Sequence, residues 1–183
     1  LSACKEQSIR LQKATSGGYE YEYVSGDPIG VRIYTLENGL KVYLSRNTVE
    51  PKIATQIAVR AGGKNDPADA TGLAHYLEHI MFKGTADFGT TNWMKEKVLL
   101  DSIEGLFETY RSTRDSLKRK VIFKTIDAVS AVASGYAIAN EYDKIVSTLG
   151  ATGTNAFTTE DQTVYVNTIP ANQLESWVRL EAN

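Results

Sequence analysis

TGLAHYLEHIMFKGT, residues 71–85, is the stretch that decides the fold. Its apolar residues recur at helical spacing, which predicts a short amphipathic helix ended by the glycine near its close. With a rotation of about 100° per residue, Glu78, His79 and Phe82 lie within roughly 60° of His75. The opposite side is predicted to face a hydrophobic core. That side consists of Leu73, Leu77 and Ile80.

The chain has two histidines, and both lie on this helix with a carboxylate between them. Residues at i and i+4 share a helix face, and two neutral imidazoles there can bind one zinc ion at about 2.0–2.1 Å. Bound zinc activates water and polarises a carbonyl group, and a nearby carboxylate can carry the proton. We therefore predict that His75 and His79 bind Zn²⁺ and that Glu78 is the general base of peptide-bond hydrolysis. The H-x-x-E-H pattern is that of the inverzincins.

Bulk properties exclude several other classes of function. The 183 residues suffice for one domain with an insertion, and 42% hydrophobic with 23% charged residues is a globular composition. A net charge of -2 gives no electrostatic footprint for nucleic acid, so no nucleic-acid partner is expected. A single cysteine excludes both an internal disulfide and a cysteine-based zinc site.

The cysteine lies in LSAC, residues 1–4, which resembles the lipobox of bacterial lipoproteins. Cys4 would then be acylated, and the polar residues after it predict a tether over residues 1–25. This interpretation predicts a membrane-anchored lipoprotein of the bacterial cell envelope that faces the periplasm or the exterior. The alternatives are an incidental cysteine near the terminus and a cytoplasmic location.

The rest of the chain, residues 26–183, is predicted to form an α+β domain with a mostly antiparallel sheet and packed helices. VRIYTLENGLKVYLSR contains Asn-Gly between two alternating runs, a strong β-hairpin signal. KIATQIAVRAGG, ATGTNAFTT and QTVYVNTI predict three further strands, and a last helix follows Pro170. Two long helical patterns, joined by the polar RSTRDS, predict an inserted helical hairpin at about residues 92–148.

Three stretches resemble the pitrilysin/insulinase family of zinc peptidases: NGLKVYLSRN, VRAGGKNDPADATGLAHYLEHIMFKGT and GATGTNAFTTEDQTVYVNTIPANQLESWVRLEAN. The resemblance implies the same roles for the two histidines and the glutamate. It also implies that Asn155, Ala156 and Phe157 contact a peptide substrate by strand addition. The alternative for this stretch is an ordinary sheet strand with Phe157 in the core.

The resemblance also implies partners and a missing ligand. Relatives take a third zinc ligand, a glutamate, from a later helix, so we expect it beyond Asn183 and expect this chain alone to be inactive. The chain resembles the N-terminal part of the active half of such an enzyme. Its expected partners are a peptide substrate and either the remainder of its own polypeptide or a second family subunit.

Two other kinds of protein would fit the pattern less well. A non-catalytic scaffold or core subunit of the same family would be expected to lose a member of the motif, and all three members are present. A structural zinc module would usually have four protein ligands and would not need an adjacent carboxylate.

Overall fold

The computed structural model describes residues 10–183, which fall into two compact units. The described part of the first unit runs to Pro51, and the second unit comprises Lys52–Asn183. Each contains its own antiparallel sheet, so the strands form two sheets and not the single sheet that the sequence predicted. The α+β class itself is confirmed, because helices and antiparallel strands both occur.

The first unit is a four-stranded antiparallel sheet in chain order. The predicted β hairpin around Asn38-Gly39 is confirmed: Thr35 pairs with Lys41, and Gly39 has a φ of 86° in the turn. Its strands are β1 (Leu11–Ser16), β2 (Tyr19–Val24), β3 (Arg32–Thr35) and β4 (Lys41–Leu44).

Residues 11–24 differ from the predicted tether, because they form the β1–β2 hairpin of this sheet. Gly17 and Gly18 make the turn with φ values of 59° and 87°, and two positive φ values are what a tight two-residue hairpin turn requires. The alternating YEYEYV run then favours a strand. Cys4, the predicted lipidation site, lies outside the described residues.

The second unit is built on a three-stranded antiparallel sheet whose central strand is the last of the three along the chain. The central strand pairs on one side with the strand that follows the first unit and on the other with the TNAFT strand. The strands are β5 (Lys52–Val59), β6 (Thr152–Thr158) and β7 (Thr163–Pro170). A bulge interrupts the pairing between Thr152 and Asn155, where Gly153 has a φ of 65°.

Five α-helices accompany this sheet, and the predicted helical hairpin is among them. Asn92 and Asp115 accept hydrogen bonds from the first turns of its two helices, which fixes where each helix begins. The helices are α1 (Leu73–Ile80), α2 (Trp93–Ser112), α3 (Ser116–Ala133), α4 (Glu141–Thr148) and α5 (Leu174–Glu181). Short 3-10 turns lie at Gly63–Asn65 and Ala171–Gln173.

The second long helical pattern is interrupted, because α3 ends at Ala133 and α4 begins only at Glu141. Gly135 follows the end of α3, and Asn140, before α4, has a φ of 55° that no continuous helix allows. Between these helices Ala137 pairs with Thr90, so the chain returns to the point at which it entered the helical hairpin.

The core of the second unit lies where α4 and α5 meet the sheet. Phe88, Tyr142, Val146 and Leu180 are buried together, and Phe82 packs against them. The Phe82 ring lies edge-on to Tyr142 at 5.1 Å between centroids, so the end of α1 is joined to this core. Among residues 10–183, no helix has the length and apolar character needed to cross a bilayer.

Candidate active site

The predicted motif helix is held at its N-terminus by a side chain from the preceding loop. The Asp66 carboxylate accepts hydrogen bonds from the backbone N–H groups of Gly72, at 2.6 Å, and Ala74, at 2.8 Å. These amides belong to the first turn of α1, where N–H groups lack partners within the helix. Asp66 therefore acts as the cap of α1 and fixes the helix that carries the motif.

The two histidines lie side by side on the exposed surface of α1. Their Nε2 atoms are 3.1 Å apart, and the rings stack with 4.8 Å between centroids. Two nitrogen ligands at about 2.05 Å from one tetrahedral zinc ion would be about 3.3 Å apart. His75 and His79 therefore fit a shared zinc ion as two of its ligands. The same separation accommodates a hydrogen bond between the imidazoles when no metal is bound.

Glu78, one turn of helix from His75, is buried with 6% of its surface exposed. The Thr158 hydroxyl donates a hydrogen bond of 2.5 Å to its Oε2 atom. Thr163 lies 3.3 Å from the Thr158 hydroxyl and donates instead to the Ala61 carbonyl at 3.0 Å. Thr158 has one hydroxyl proton, and its contact with Glu78 is 0.8 Å shorter than its contact with Thr163, so the proton is donated to Glu78. The carboxylate is thereby oriented, with Oε1 as its second oxygen.

The buried side of α1 is opposite to the one predicted. Helix α1 packs on β6 and β7. Glu78 and Phe82 lie toward this sheet, while Leu73, Leu77 and Ile80 keep 38%, 47% and 39% of their surface exposed. The prediction was wrong because helical periodicity shows which residues share a face, whereas the neighbouring strands decide which face is covered. These strands present the hydroxyl groups of threonine and tyrosine, which suit a carboxylate.

Tyr165 contributes to the electrostatics of the site. Burial, and then the negative charge of Glu78, raise the pKa of Tyr165. The Tyr165 ring also contacts Phe82 edge-on at 5.8 Å between centroids. Tyr165 therefore remains a neutral, protonated neighbour of the Glu78 carboxylate across the neutral pH range.

The loop before α1 is fastened to the turn that follows Thr158. The backbone N–H groups of Gly63 and Lys64 donate to the carbonyl oxygens of Thr159, at 2.9 Å, and Glu160, at 3.0 Å. A Cβ atom at Gly62 would lie 2.3 Å from the Thr159 carbonyl oxygen. This contact is possible only for glycine, so Gly62 lets the two segments that carry Glu78 and its hydrogen-bond donor approach this closely.

The predicted substrate residues lie on β6, an edge strand of the described sheet. Asn155, Ala156 and Phe157 pair with Val166, Tyr165 and Val164 of β7. Since alternate residues point to opposite faces, Ala156 shares a face with Thr158, whereas Asn155 and Phe157 face the other way. Phe157 is 44% exposed and is not a core residue. Its contact with a peptide stays a prediction.

No third ligand joins the histidine pair within the described range: residues 10–183 contain no group of three His, Cys, Asp or Glu side chains that could hold a metal ion. Two carboxylates near the end of the sheet and in α5 are engaged elsewhere. Asp161 pairs with Lys64, and Glu181 accepts a hydrogen bond of 2.7 Å from Tyr142. Within the described residues, zinc would therefore have His75 and His79 as its protein ligands.

Comparison with known proteins matches residues 41–106 to the family described as insulinase, peptidase family M16. Residues 41–106 are thus similar to the insulinase family. The matched range contains Asp66, the whole of α1 and the first part of α2.

Individual relatives agree with the family match. The chain is similar to insulin-degrading enzyme of Drosophila melanogaster, with 40% identity over 31% of this chain and 6% of the relative. It is similar to coenzyme PQQ synthesis protein F of Pseudomonas putida, with 41% identity over 33% of this chain and 8% of the relative. A longer match, 26% identity over 75% of this chain, is to the zinc protease PQQL-like of Arabidopsis thaliana and covers 14% of it. The chain thus spans a small part of these relatives.

Sequence reasoning found the residues of the motif and missed those that support it. Three supporting residues were not predicted. Asp66 and Thr158 form hydrogen bonds with α1, and Tyr165 lies beside Glu78. A signal existed for Asp66, since aspartate shortly before a helix commonly caps it. A signal for Thr158 would have been the rule that a buried carboxylate needs a hydrogen-bond donor.

Proposed function

We propose that the protein is a zinc-dependent endopeptidase that hydrolyses extended peptides or unfolded polypeptide segments. The observation that carries the proposal is the pair of imidazole nitrogens 3.1 Å apart on the helix that buries Glu78. Zinc, when bound, supplies Lewis-acid chemistry that activates water and polarises the scissile carbonyl group. His75 and His79 hold the metal, and their exposure leaves them open to solvent and substrate.

Glu78 is the proton carrier in this proposal. Its Oε2 atom is occupied by the hydrogen bond from Thr158, so Oε1 is the oxygen that takes a proton from water. The same oxygen later gives the proton to the leaving amine. Thr158 does not take part in proton transfer; it keeps the carboxylate in one orientation, which lowers the cost of reaching the reactive geometry.

The substrate is bound as an added strand. β6 lies at an edge of the described sheet, and an edge strand can pair with an extended backbone but not with a folded protein. Asn155, Ala156 and Phe157 occupy the part of β6 next to Thr158, so a peptide paired with them would run past the zinc-binding helix. We expect denatured proteins to be cleaved and their folded forms to resist cleavage.

The metal site is completed from outside this chain. Two imidazoles fill only part of the coordination shell, and catalytic zinc sites normally have three protein ligands and water. We propose that the remainder of the polypeptide, or a second family subunit, supplies the third ligand. The chain alone should then bind zinc weakly and cleave no peptide.

An anchored location at the bacterial envelope is proposed on the LSAC sequence alone. Acylation of Cys4 would tie the N-terminus to a membrane. Fractionation of the native protein beside its Cys4→Ser variant tests this. A protein that is fully soluble in both forms would remove the proposal.

The decisive experiment compares Glu78→Gln, His75→Ala and Glu104→Gln in the complete protein, with zinc binding measured by calorimetry and cleavage by a quenched fluorescent peptide. Glu78→Gln keeps an oxygen for Thr158, so zinc should still bind while cleavage falls roughly 10²- to 10⁴-fold. His75→Ala should lose both zinc and cleavage. Glu104→Gln, at an exposed position on α2, should change neither. Normal cleavage by Glu78→Gln would contradict the proposed base.

A further inference from the structure

β6, the strand that carries the predicted peptide contacts, has a β-bulge near its start. Gly153 and Thr154 of β6 lie opposite a single residue of β7, Asn167, so β6 has one residue more than its partner at this point. Gly153 has a φ of 65°, a conformation that glycine adopts without strain. Directly after the bulge come residues 155–157, which we call the peptide segment.

The position of the bulge decides how the peptide segment is presented. Side chains alternate between the two faces of a strand, and the backbone N–H and C=O groups of alternate residues point toward its free edge. If the extra residue moved along β6 into the peptide segment, each residue that it passed would turn over. A different set of backbone groups would then face a peptide that pairs with the edge. The place of the bulge therefore sets the register between β6 and its substrate.

A side-chain hydrogen bond holds the bulge where it is. The Thr154 hydroxyl donates to Oδ1 of Asn167 at 2.7 Å. Asn167 is 4% exposed and lies on the central strand of the sheet. Its backbone carbonyl oxygen accepts a hydrogen bond of 3.0 Å from the Thr55 hydroxyl of β5. The residue opposite the bulge is thus fixed on one side and binds a bulged residue on the other.

Helices α4 and α5 orient the Asn167 amide. Its Nδ2 atom lies 3.4 Å from the hydroxyl oxygen of Tyr142 and 3.5 Å from Oε1 of Glu181. Tyr142 in turn donates its hydroxyl proton to Oε1 of Glu181 at 2.7 Å. An ionised carboxylate only accepts hydrogen bonds, so the NH2 group of Asn167 faces Glu181 and Oδ1 faces Thr154. The buried groups therefore act together to keep an acceptor in front of the Thr154 hydroxyl.

We propose that Asn167 and Thr154 are positioning residues of the peptidase, which hold the bulge of β6 and thereby fix which bond of a paired peptide is cleaved. This inference rests on the proposed function. Neither residue touches the reacting atoms in this proposal, and both act through the peptide segment. Bulges next to active sites commonly direct the chain in this way. When the hydrogen bond is lost, a peptide can pair in more than one register, and cleavage spreads to neighbouring bonds.

Three variants isolate the hydrogen bond. Thr154→Val keeps the shape of the side chain and leaves Oδ1 of Asn167 without its donor. Thr154→Ser restores a hydroxyl at the same position. Thr152→Val makes the same replacement at an exposed position on the other side of the bulge and serves as the matched control. Circular dichroism of each variant checks folding.

Amide hydrogen exchange of this chain tests, without any need for activity, whether the hydrogen bond holds β6. In Thr154→Val the amides of the peptide segment should exchange at least fivefold faster than in wild type, while those of β5 keep their wild-type rates. Thr154→Ser and Thr152→Val should stay close to wild type. Unchanged exchange in the peptide segment would overturn the proposal. So would an equal increase in β5, since the hydrogen bond would then stabilise the whole unit and not the bulge.

Product analysis with the complete protein tests whether the bulge selects the cleaved bond. Mass spectrometry of a digested peptide gives the share of cleavage at the bond that wild type prefers, and Thr154→Val should lower this share at least twofold in favour of neighbouring bonds. A loss of folded enzyme would lower the total rate but leave the shares unchanged. Unchanged shares would therefore overturn the proposal. If wild type cleaved no peptide, the proposed function would fail, and hydrogen exchange would still decide whether Thr154 holds the bulge.

Discussion

Helix α1 and the helical hairpin both place aliphatic residues at helical spacing, yet they bury opposite kinds of side chain. In α1 a glutamate is 6% exposed while Leu77 is 47% exposed, whereas α3 buries Ile126 to 3%. The neighbour makes the difference. The strands beside α1 offer the Thr158 hydroxyl to Glu78, whereas α2 offers aromatic surface to α3, such as the Tyr110 ring that contacts Phe123. Which face of a helix is buried thus depends on the neighbouring elements and not only on the residues of the helix.

The two regions also differ in how much freedom they keep. Around α1, backbone segments approach so closely that Gly62 has no room for a Cβ atom. Along the helical hairpin, Gly105 has nothing within 4 Å of such an atom. Substitutions should therefore be costly beside α1 and mild, or even favourable, in the helical hairpin.

The largest difference is expected from Gly62→Ala and Gly63→Ala. The new methyl group at Gly62 would lie 2.3 Å from the Thr159 carbonyl oxygen, and at Gly63 the nearest atom is 3.9 Å away. We expect Gly62→Ala to cost about 3 kcal/mol or more, enough to prevent folding, because backbone on both sides must move. Gly63→Ala should cost less than about 1 kcal/mol. Urea unfolding compares them, and equal stability would contradict the close contact.

The next largest effect is expected from Thr158→Val, which removes the hydrogen-bond donor of the buried Glu78 without changing the shape of the side chain. We expect a loss of roughly 1.5 to 3 kcal/mol in the free energy of unfolding, as for other hydrogen bonds to charged groups. Thr158→Ser should recover most of it. Thr125→Val on α3 is the control, because that exposed hydroxyl bonds to its own helix. A similar loss for both valine variants would mean that Glu78 does not depend on Thr158.

A smaller, pH-dependent effect is expected at Glu181. Burial raises its pKa, and the hydrogen bond from Tyr142 only partly opposes this. A carboxyl group whose pKa is raised by folding stabilises the fold below its unfolded pKa, about 4.3, and that stability is lost as pH rises through the folded pKa. As the pH rises from about 4.3 through the folded pKa, the free energy of unfolding of Glu181→Gln should therefore increase relative to that of wild type.

Thermal melts from pH 4 to pH 8 measure this difference between Glu181→Gln and the wild-type chain. Glu175→Gln is the matched control on the same helix, since the Glu175 side chain is 80% exposed and pairs with Arg179. Its difference from wild type is the baseline for removing an exposed carboxylate from α5. If the difference for Glu181→Gln did not vary with pH beyond this baseline, burial would not perturb Glu181.

The smallest effect is expected in the helical hairpin, and it should have the opposite sign. Gly105→Ala replaces a glycine inside α2, where alanine favours the helix by about 0.5 to 1 kcal/mol. Nothing lies within 4 Å of the added methyl group, so the monomer should become more stable by about that amount. The measurement is thermal unfolding of both chains. Destabilisation would show that the helical hairpin is packed more tightly than the structure indicates.

Sequence patterns predicted the elements better than the faces they bury. The Asn-Gly turn at residues 38–39, the TNAFT and QTVYV strands and the turn between α2 and α3 all lie where local signals predicted them. The helical hairpin itself is shorter than predicted, because α3 ends at Ala133. Turn chemistry and helix capping act over a few residues, so one sequence contains them. The exposed side of α1 was not predictable from its own residues. Whether Leu77 or Glu78 is buried depends on strands that follow tens of residues later.

The site shows the same division. The grouping of His75, Glu78 and His79 could be predicted because the three side chains fall on one turn of one helix. Thr158 and Tyr165 reach Glu78 from β6 and β7, and that contact depends on how the chain folds back. The β1–β2 hairpin was mistaken for a tether because polar residues alternate there, and polarity alone does not distinguish an exposed strand from a spacer.

The pairing of residues 90 and 137 determines where the protein can tolerate insertions and deletions. Thr90 pairs with Ala137, and the Ile138 amide donates to the Gly89 carbonyl oxygen at 2.8 Å, so the strand-bearing part of the unit is continuous across the base of the helical hairpin. Doubling the length of a closed loop costs only about 0.6 kcal/mol in chain entropy. The segment between these residues can therefore be lengthened, shortened or replaced without moving the histidine pair.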